Sequence, residues 1–360
     1  MANKAVNLYH GFAGDQRLSM DIYAASIVQA FSKSRWTVST VQAQSWLERF
    51  SNNRTVMRYL RYFQFPNSVR AKHADIHHVV DHGYAHLAPS LSAGKKIVTV
   101  HDLIPLLTYS GVIKTQARQS APRLNMRSLS YLSDYDQIIA VSESTRNDLI
   151  SHLDIDAKLI EVIPPIIGEQ FQPLNADKIA GFAKQHKLPD NSYWLLVSGN
   201  EFYKNHAISL RVLKRLNEAS KTPVRLLKTG PSSRLFTQEV QALNLQSLVH
   251  YVYLHSIDDM PLAYNFVDCL LFPSLYEGFG MPVIEALACG TPVVASGAGA
   301  LRELFPEQGN LLDPSDVEGF TTAVKNQLSS PSVALEEARI ERFRPDAVSQ
   351  RIGELYSSLA

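Results

Sequence analysis

Short β-branched runs alternate with longer stretches of helical period along this 360-residue chain, and a pair of prolines, Pro164-Pro165, interrupts the alternation once. Such alternation implies parallel sheets with crossover helices, because parallel neighbours cannot be joined by a tight turn. Before the prolines the runs are Ile97-Val-Thr-Val100, Ile138-Ile-Ala-Val141 and 159–163; in Ser142-Glu-Ser-Thr145 a hydroxyl stands where it can cap the helix through Leu149. After them come a strand at 193–197, a loop at 198–205, an amphipathic helix at 207–219, and strands at 224–227, 248–254, 269–272 and 293–295. Adjacent prolines continue neither element. The expectation is two doubly wound α/β domains facing each other, split near residue 165, with ligands outside the carboxyl ends of their strands.

The composition, 45% hydrophobic and 19% charged, excludes a disordered chain, and a net charge of +1 supplies no global field for nucleic acid. The total hides an asymmetry: residues 1–165 sum to +5 and the rest to −4. Much of the excess is Arg49, Arg54, Arg58, Arg61, Arg70 and Lys72, interleaved with Phe50, Tyr59, Tyr62 and Phe63. The favoured reading is a solvated arginine face on a helix packed by its other side; an interfacial helix on anionic lipid is the alternative. No recognised nucleic-acid motif accompanies the charge. Two cysteines, Cys269 and Cys289, sit in apolar settings as buried thiols would. With no signal-peptide core and no apolar run of about 18 residues, a cytoplasmic location is expected, with the cytoplasmic face of the inner membrane as its variant.

The densest chemistry lies in one string, Leu270-Leu-Phe-Pro-Ser-Leu-Tyr-Glu277-Gly-Phe-Gly-Met-Pro-Val-Ile-Glu285-Ala-Leu-Ala-Cys-Gly290. It reads as a strand, a glycine loop and a helix start, with Pro282 where a first helical turn tolerates proline. Gly278 and Gly280 let the backbone approach a ligand, and the free amides of a helix start favour an anion such as a diphosphate. Glu277 and Glu285 can both face the same cleft, where carboxylates accept hydrogen bonds from sugar hydroxyls. Taken alone, Glu285 reads as a first-turn glutamate that caps amides or complements the helix dipole.

As a whole, the string resembles the retaining GT-B glycosyltransferases of glycosyltransferase family 4. Other segments agree in order over nearly the full chain: Gly11-Phe-Ala-Gly14, Val98-Thr-Val-His101-Asp102, Val141-Ser-Glu-Ser-Thr145, Val162-Ile-Pro-Pro165, and Leu196-Val-Ser-Gly199 followed by Lys204-Asn205. The resemblance implies two facing Rossmann-like domains, 1–168 on the acceptor side and 169–342 for a nucleotide sugar, with the helix at 343–360 crossing back to complete the first. Glu277 would hold hydroxyls of the transferred sugar and Glu285 the ribose. The amides of Phe279, Gly280 and Met281 would surround sugar and phosphate beside Gly278, Gly199 and Asn205 would shape the donor loop, and Lys204 would neutralise the diphosphate. His101 would contact the sugar or its phosphate, while Gly14 and Asp102 would lie on the acceptor side. The implied reaction moves a sugar, with mannose favoured, from a nucleotide diphosphate to a saccharide or lipid-linked saccharide in surface polysaccharide synthesis, with no metal or cofactor.

One departure stands out: many members carry an arginine shortly before the lysine, and Gly199-Asn-Glu-Phe-Tyr-Lys204 has none, which leaves Lys228 or Arg234 to supply a second cation. Because of it, a catalytically inactive homologue that binds a sugar nucleotide or a partner stays an alternative, as does a sugar-nucleotide epimerase. Asp134-Tyr-Asp136 and Asp154-Ile-Asp156 match a metal signature of another glycosyltransferase class only as two short chance strings. His73, His77, His78, His82 and His86 have helical metal spacing but lack the required glutamate, and Ile76, Val79 and Val80 favour a strand, so strand-edge or acceptor-cleft histidines are expected.

Overall fold

A computed structural model describes residues 4–12, 18–32, 34–43, 45, 53–114, 123–230, 232–254, 256–305, 311–331 and 337–360. Gly14, Arg49 and Phe50 lie outside the described residues. Contacts divide the chain into two compact units, Met1–Ile166 with Phe343–Ala360, and Ile167–Arg342.

In the first unit, β1 (Lys4–His10) leads through α1 (Leu18–Ala30) to β2 (Trp36–Gln42). A helical rod follows, α2 (Arg54–Tyr59) and α3 (Phe65–Val69) joined by a π turn at Leu60–Gln64. Then come β3 (Ile76–Val79), a 3-10 stretch at His82–Ser90, β4 (Lys95–Val100), α4 (Ile104–Tyr109), α5 (Arg123–Leu129), β5 (Gln137–Ala140), α6 (Glu143–Leu153) and β6 (Ile160–Val162). All six strands pair in parallel in the order β2-β1-β3-β4-β5-β6. Ser142 Oγ accepts from the Thr145 amide at 3.0 Å and so caps α6, and the chain leaves that helix through Asp154 in the left-handed region.

The histidine-rich strand β3 is not at an edge. It runs between β1 and β4 with His77 and His78 buried, which corrects the strand-edge expectation. A polar pair survives there because each ring is satisfied: His77 Nδ1 pairs with Tyr9 Oη at 2.7 Å, and His78 bridges Tyr356 Oη and Thr99 Oγ1 at 2.7 Å each. The basic rod also differs from a wholly solvated arginine face. Arg58 is exposed, whereas Arg61 turns inward, donates to the Gly83 carbonyl and lies 4.4 Å over the Tyr84 ring.

The second unit repeats the βα alternation: α7 (Ala176–Gln185), β7 (Tyr193–Val197), α8 (His206–Ala219), β8 (Val224–Thr229), α9 (Arg234–Ala242), β9 (Val249–Val252), α10 (Met260–Phe266), β10 (Cys269–Phe272), α11 (Met281–Ala288), β11 (Val293–Ala295), α12 (Leu301–Leu304), α13 (Val317–Ser329) and α14 (Glu337–Glu341). Its parallel order, β11-β10-β7-β8-β9, places successive crossovers on opposite sides of β7. A crevice therefore opens beyond the carboxyl ends of β7 and β10, where the connections diverge. The core beneath it is aliphatic: Leu195, Val197, Leu226, Leu271 and Val294 pack against Leu210, Leu213, Phe320 and Val324.

The last helix, α15 (Pro345–Leu359), belongs to the first unit. Val348, Ile352 and Tyr356 recur at helical spacing, are fully buried, and pack with Ile27, Phe31 and Trp36. Among the described residues no helix is long and apolar enough to cross a membrane.

Candidate active site

The crevice of the second unit gathers the charged residues. The loop after β7 tightens into a 3-10 turn, Phe202–Lys204, which ends on Asn205 in the left-handed region at the head of α8. Lys204 Nζ donates to Glu277 Oε1 at 2.8 Å, and the same oxygen accepts from Ser274 Oγ at 2.7 Å. Both partners of the ion pair are nearly buried. Asn205 fixes the lysine's turn: its Nδ2 donates to the carbonyls of Pro273 and Pro314 at 2.9 and 2.8 Å, so its side chain acts on the site through backbone.

Glu277 is held from below as well. Its carbonyl accepts from the Ala300 amide at 3.0 Å, and a Cβ at Gly299, whose φ is +59°, would stand 2.4 Å from that carbonyl oxygen. Gly278 and Phe279 are buried, and the chain turns into α11 through Gly280 at φ +103°, where a Cβ would press to 2.6 Å from Leu301 Cδ2. Met281 and Pro282 open α11; Pro282 carries no amide N–H and the Val283 amide donates to the Gly280 carbonyl at 2.9 Å, so at this helix start it is the Met281 amide that lies outside the helix's own hydrogen bonds.

Glu285 sits beyond the capping positions, and its Oε2 accepts from Tyr264 Oη at 2.8 Å. It therefore does not cap the helix. Burial pushes its carboxyl up to about 7, against the Tyr264 hydrogen bond and the charge of Lys204, which pull it down. Lys204 thus acts on both carboxylates of the string.

A second lysine lies at the same end of the sheet. Lys228 pairs in register with Val197, the last residue of β7, is fully buried, and donates to the Thr229 carbonyl at 2.7 Å. Burial pushes its ammonium down to about 8, with Glu201 pulling it up. The charges of Lys228 and Lys204 join burial in lowering His206 to about 4. Gly199, at φ +74°, starts the loop close to Glu201 Oε2. Arg234 opens α9 and is exposed. Among the described residues no group of three or more His, Cys, Asp or Glu is placed to hold a metal.

Comparison with known proteins now decides the family. The profile described as Glycosyltransferase Family 4 matches residues 21–170, and that of Glycosyl transferases group 1 matches 179–344, the part holding the whole crevice. The chain belongs to the GT-B glycosyltransferase family. Among solved structures, its fold matches sucrose-phosphate synthase from Thermosynechococcus elongatus with a TM-score of 0.78 at 21% identity, covering 99% of each chain. Anabaena HepE in complex with UDP-glucose matches with a TM-score of 0.74 at 17% identity, covering 99% of this chain and all of that one. Among curated proteins, the serotype-specific mannosyltransferase WbdA of Escherichia coli is 27% identical over 266 residues, 71% of this chain and 31% of WbdA. The chain thus spans about a third of the length of those relatives. The O-antigen chain mannosyltransferase RfbU of Salmonella typhimurium is 23% identical over 257 residues, 71% of this chain and 67% of RfbU.

In the family 4 half of this GT-B glycosyltransferase, His101 follows directly on β4. Its Nε2 pairs with the Val80 carbonyl at 2.8 Å and its ring meets Tyr23 edge-on at 4.9 Å. Asp102 is half-buried, and its Oδ1 accepts from the Ile104 amide at 2.9 Å, fixing the start of α4. Gly14 lies outside the described residues. The sequence reading passed over Ser274, Tyr264 and Gly299. Ser274 stands inside the quoted string, so its closeness to Glu277 was readable in hindsight, whereas nothing in the spacing of Tyr264 marks it as the partner of Glu285.

Proposed function

We propose that this glycosyltransferase moves a sugar, with retention of anomeric configuration, from a nucleoside diphosphate sugar to a hydroxyl of a saccharide or lipid-linked saccharide. The observation that carries the reading is the nearly buried pair Lys204–Glu277, 2.8 Å apart, at the divergence of β7 and β10. A buried ion pair is costly to keep unless something uses it. An arriving diphosphate takes Lys204 as counter-ion, and Glu277 is then released to accept hydroxyls of the sugar. The Met281 amide at the head of α11 faces the same negative charge, and Glu285, ionised, accepts from the ribose. Lys228 supplies the cation that the arginine-free loop lacks.

The bond from the anomeric carbon to the diphosphate oxygen breaks while the acceptor oxygen bonds to that carbon on the same face, and the acceptor's proton leaves on the departing phosphate. Lys204 and the helix start hold the charge that develops on the leaving group. His101, Asp102 and Gly14 serve the sugar and acceptor side. Two of the relatives reported above are named as mannosyltransferases, one of them acting on an O-antigen chain, which favours mannose and surface polysaccharide. The corresponding place of work is the cytoplasmic face of a membrane.

A thermal-shift screen of GDP-, UDP- and dTDP-sugars identifies the donor, since a ligand at about 100 times its Kd adds about 2.7 kcal/mol of stability. Nucleotide release is then measured with candidate acceptors. Acceptor-dependent release supports transfer. A donor that binds without release under any acceptor points to a binding-only homologue, and interconversion of the donor sugar points to an epimerase.

A further inference from the structure

The first unit contains a second concentration of charge that the transferase reading does not use. The segments 49–74 and 103–133 hold ten Lys and Arg residues and no Asp or Glu. The fold brings parts of both to one cavity of about 220 Å³, whose walls include Tyr62, Phe63, Arg70, His86, Arg127 and Tyr131. Arg70 comes just after α3 and Arg127 from α5; both are exposed, and neither forms an ion pair with a described residue. Among the described residues no acidic side chain lines the cavity.

The walls are built rather than incidental. Arg61, behind the cavity, is fixed over the Tyr84 ring, and its carbonyl pairs with His86 Nε2 at 3.0 Å. His86 Nδ1 pairs with Ser128 Oγ at 3.1 Å, which ties the α3 side to the α5 side. Burial and the charges of Arg61 and Arg127 push His86 down to about 4, so near neutral pH the imidazole is an uncharged wall. The Tyr62 ring lies tilted against it with centroids 4.5 Å apart, and the Arg127 guanidinium is 5.9 Å from the Tyr62 centroid.

The cavity is smaller than the roughly 300–1,000 Å³ that encloses drug-sized ligands. Two guanidinium groups lining one aromatic-walled pocket, that of Arg127 5.9 Å from the Tyr62 ring centroid, match the oxygens of a phosphate, which guanidiniums bind in parallel pairs of hydrogen bonds. Phe63, at the rim, is 62% exposed and stacks on Tyr59, itself 54% exposed. Exposed aromatics beside arginines suit the boundary between headgroups and acyl chains.

We propose that this pocket binds a phosphate ester through Arg70 and Arg127, with Tyr59 and Phe63 entering the lipid when the ester is a membrane headgroup. This site is separate from the crevice around Lys204 and does not depend on how that crevice works. The test uses the full chain with two probes: vesicles of phosphatidylcholine with or without phosphatidylglycerol, and sn-glycerol 1-phosphate in solution. Binding of either phosphate ester that falls at least about tenfold in Arg70→Gln/Arg127→Gln supports the proposal. The probe that binds gives the source, and a further loss in Phe63→Ser confined to vesicles assigns the lipid. Nucleotide diphosphate affinity and Tm unchanged in the double variant show that the fold and the other site are intact. If the double variant unfolds, Arg70→Lys with Arg127→Lys keeps the charge and loses the forked geometry, and again weakens binding. Neither probe binding, or equal binding by wild type and the charge-removed variant, overturns the proposal.

Discussion

The carboxyl ends of the two sheets solve the same problem, polar side chains above an aliphatic core, in opposite ways. In the second unit the groups are ammoniums and carboxyls: Lys204 ion-paired with Glu277, Glu285 accepting from the Tyr264 hydroxyl, and Lys228 buried and donating to the Thr229 carbonyl. In the first they are imidazole rings: His78 between the Thr99 and Tyr356 hydroxyls, His101 on the Val80 carbonyl, and His10, at the end of β1, on the Asp21 carboxylate at 2.8 Å. An ion held in low dielectric exchanges its partner for a ligand of the same sign at little cost, whereas a neutral hydrogen-bonded ring loses its place when moved. The second unit is therefore arranged to receive charge, and the first to hold position.

The sharpest way to break that contrast is to remove the lysine of the ion pair. Lys204→Ala leaves Glu277 nearly buried and without its cation and, on the proposed mechanism, takes one charge from the leaving group. We expect the transfer rate to fall about 10²–10³-fold, the range for losing one donor to a developing oxyanion. Glu277→Gln keeps the shape, so its loss should appear mainly in kcat. A double-mutant cycle on steady-state nucleotide release checks the pairing, because independent residues would give additive losses.

For the first unit the corresponding variant is His78→Phe, which leaves Tyr356 Oη and Thr99 Oγ1 short of a partner. A cost of about 2–4 kcal/mol is expected, read by urea unfolding. Burial pushes His78 down to about 3. A folded value depressed below the ordinary 6.5 contributes stability that is present above 6.5 and lost as pH falls towards 3. His78→Gln, which keeps a donor and an acceptor and cannot titrate, should flatten part of the acid limb of unfolding, and an unaltered limb would remove His78 from the account.

These histidines also mark what the sequence could and could not say. The alternation of strands, the break at the prolines and the string from Leu270 to Gly290 were readable because period and glycine placement are local properties. The strands at 193–197, 269–272 and 293–295 fall where the pattern puts them. The position of β3 was not readable, since strand order is set by crossovers many residues long and not by composition. The inward turn of Arg61 was hidden for a related reason: its partners, Gly83 and Tyr84, arrive from a 3-10 stretch with no period of its own. In the crevice, the two glutamates stand out within one string and Lys204 enters through the family resemblance, but Tyr264 reaches Glu285 only through the packing of α10 on α11.

Lys228 gives a smaller effect with two signs. Its ammonium, depressed by burial from 10.5 to about 8, carries a desolvation cost that is present below about 8 and relieved as pH rises towards 10.5. Lys228→Met keeps the buried stem and removes the charge. The unliganded protein should gain about 1–2 kcal/mol at neutral pH, a rise of roughly 2–8 °C in Tm, while donor affinity falls about tenfold. Opposite changes in the two readouts are the signature of a cation kept for a ligand; a loss in both would make Lys228 a structural residue only.

The smallest effect isolates Glu285. With its carboxyl raised from 4.5 to about 7, it is protonated in the empty site below that value, and it contributes stability that is fully present below about 4.5 and lost as pH rises through 7. On the proposed role of Glu285 only its ionised form accepts from both ribose hydroxyls, so nucleotide diphosphate affinity should rise with pH and level off above about 7, dropping by up to about tenfold per unit below it. Glu285→Gln should abolish that slope while losing little affinity at pH 6, because the amide oxygen still accepts one hydrogen bond. Calorimetric titration of the nucleotide across this range separates the two carboxylates. Glu277 is ion-paired with Lys204, so the charge exchange at that pair and the protonation of Glu285 report on different events in one crevice. A slope that survives in Glu285→Gln would assign the titration to the bound phosphate instead.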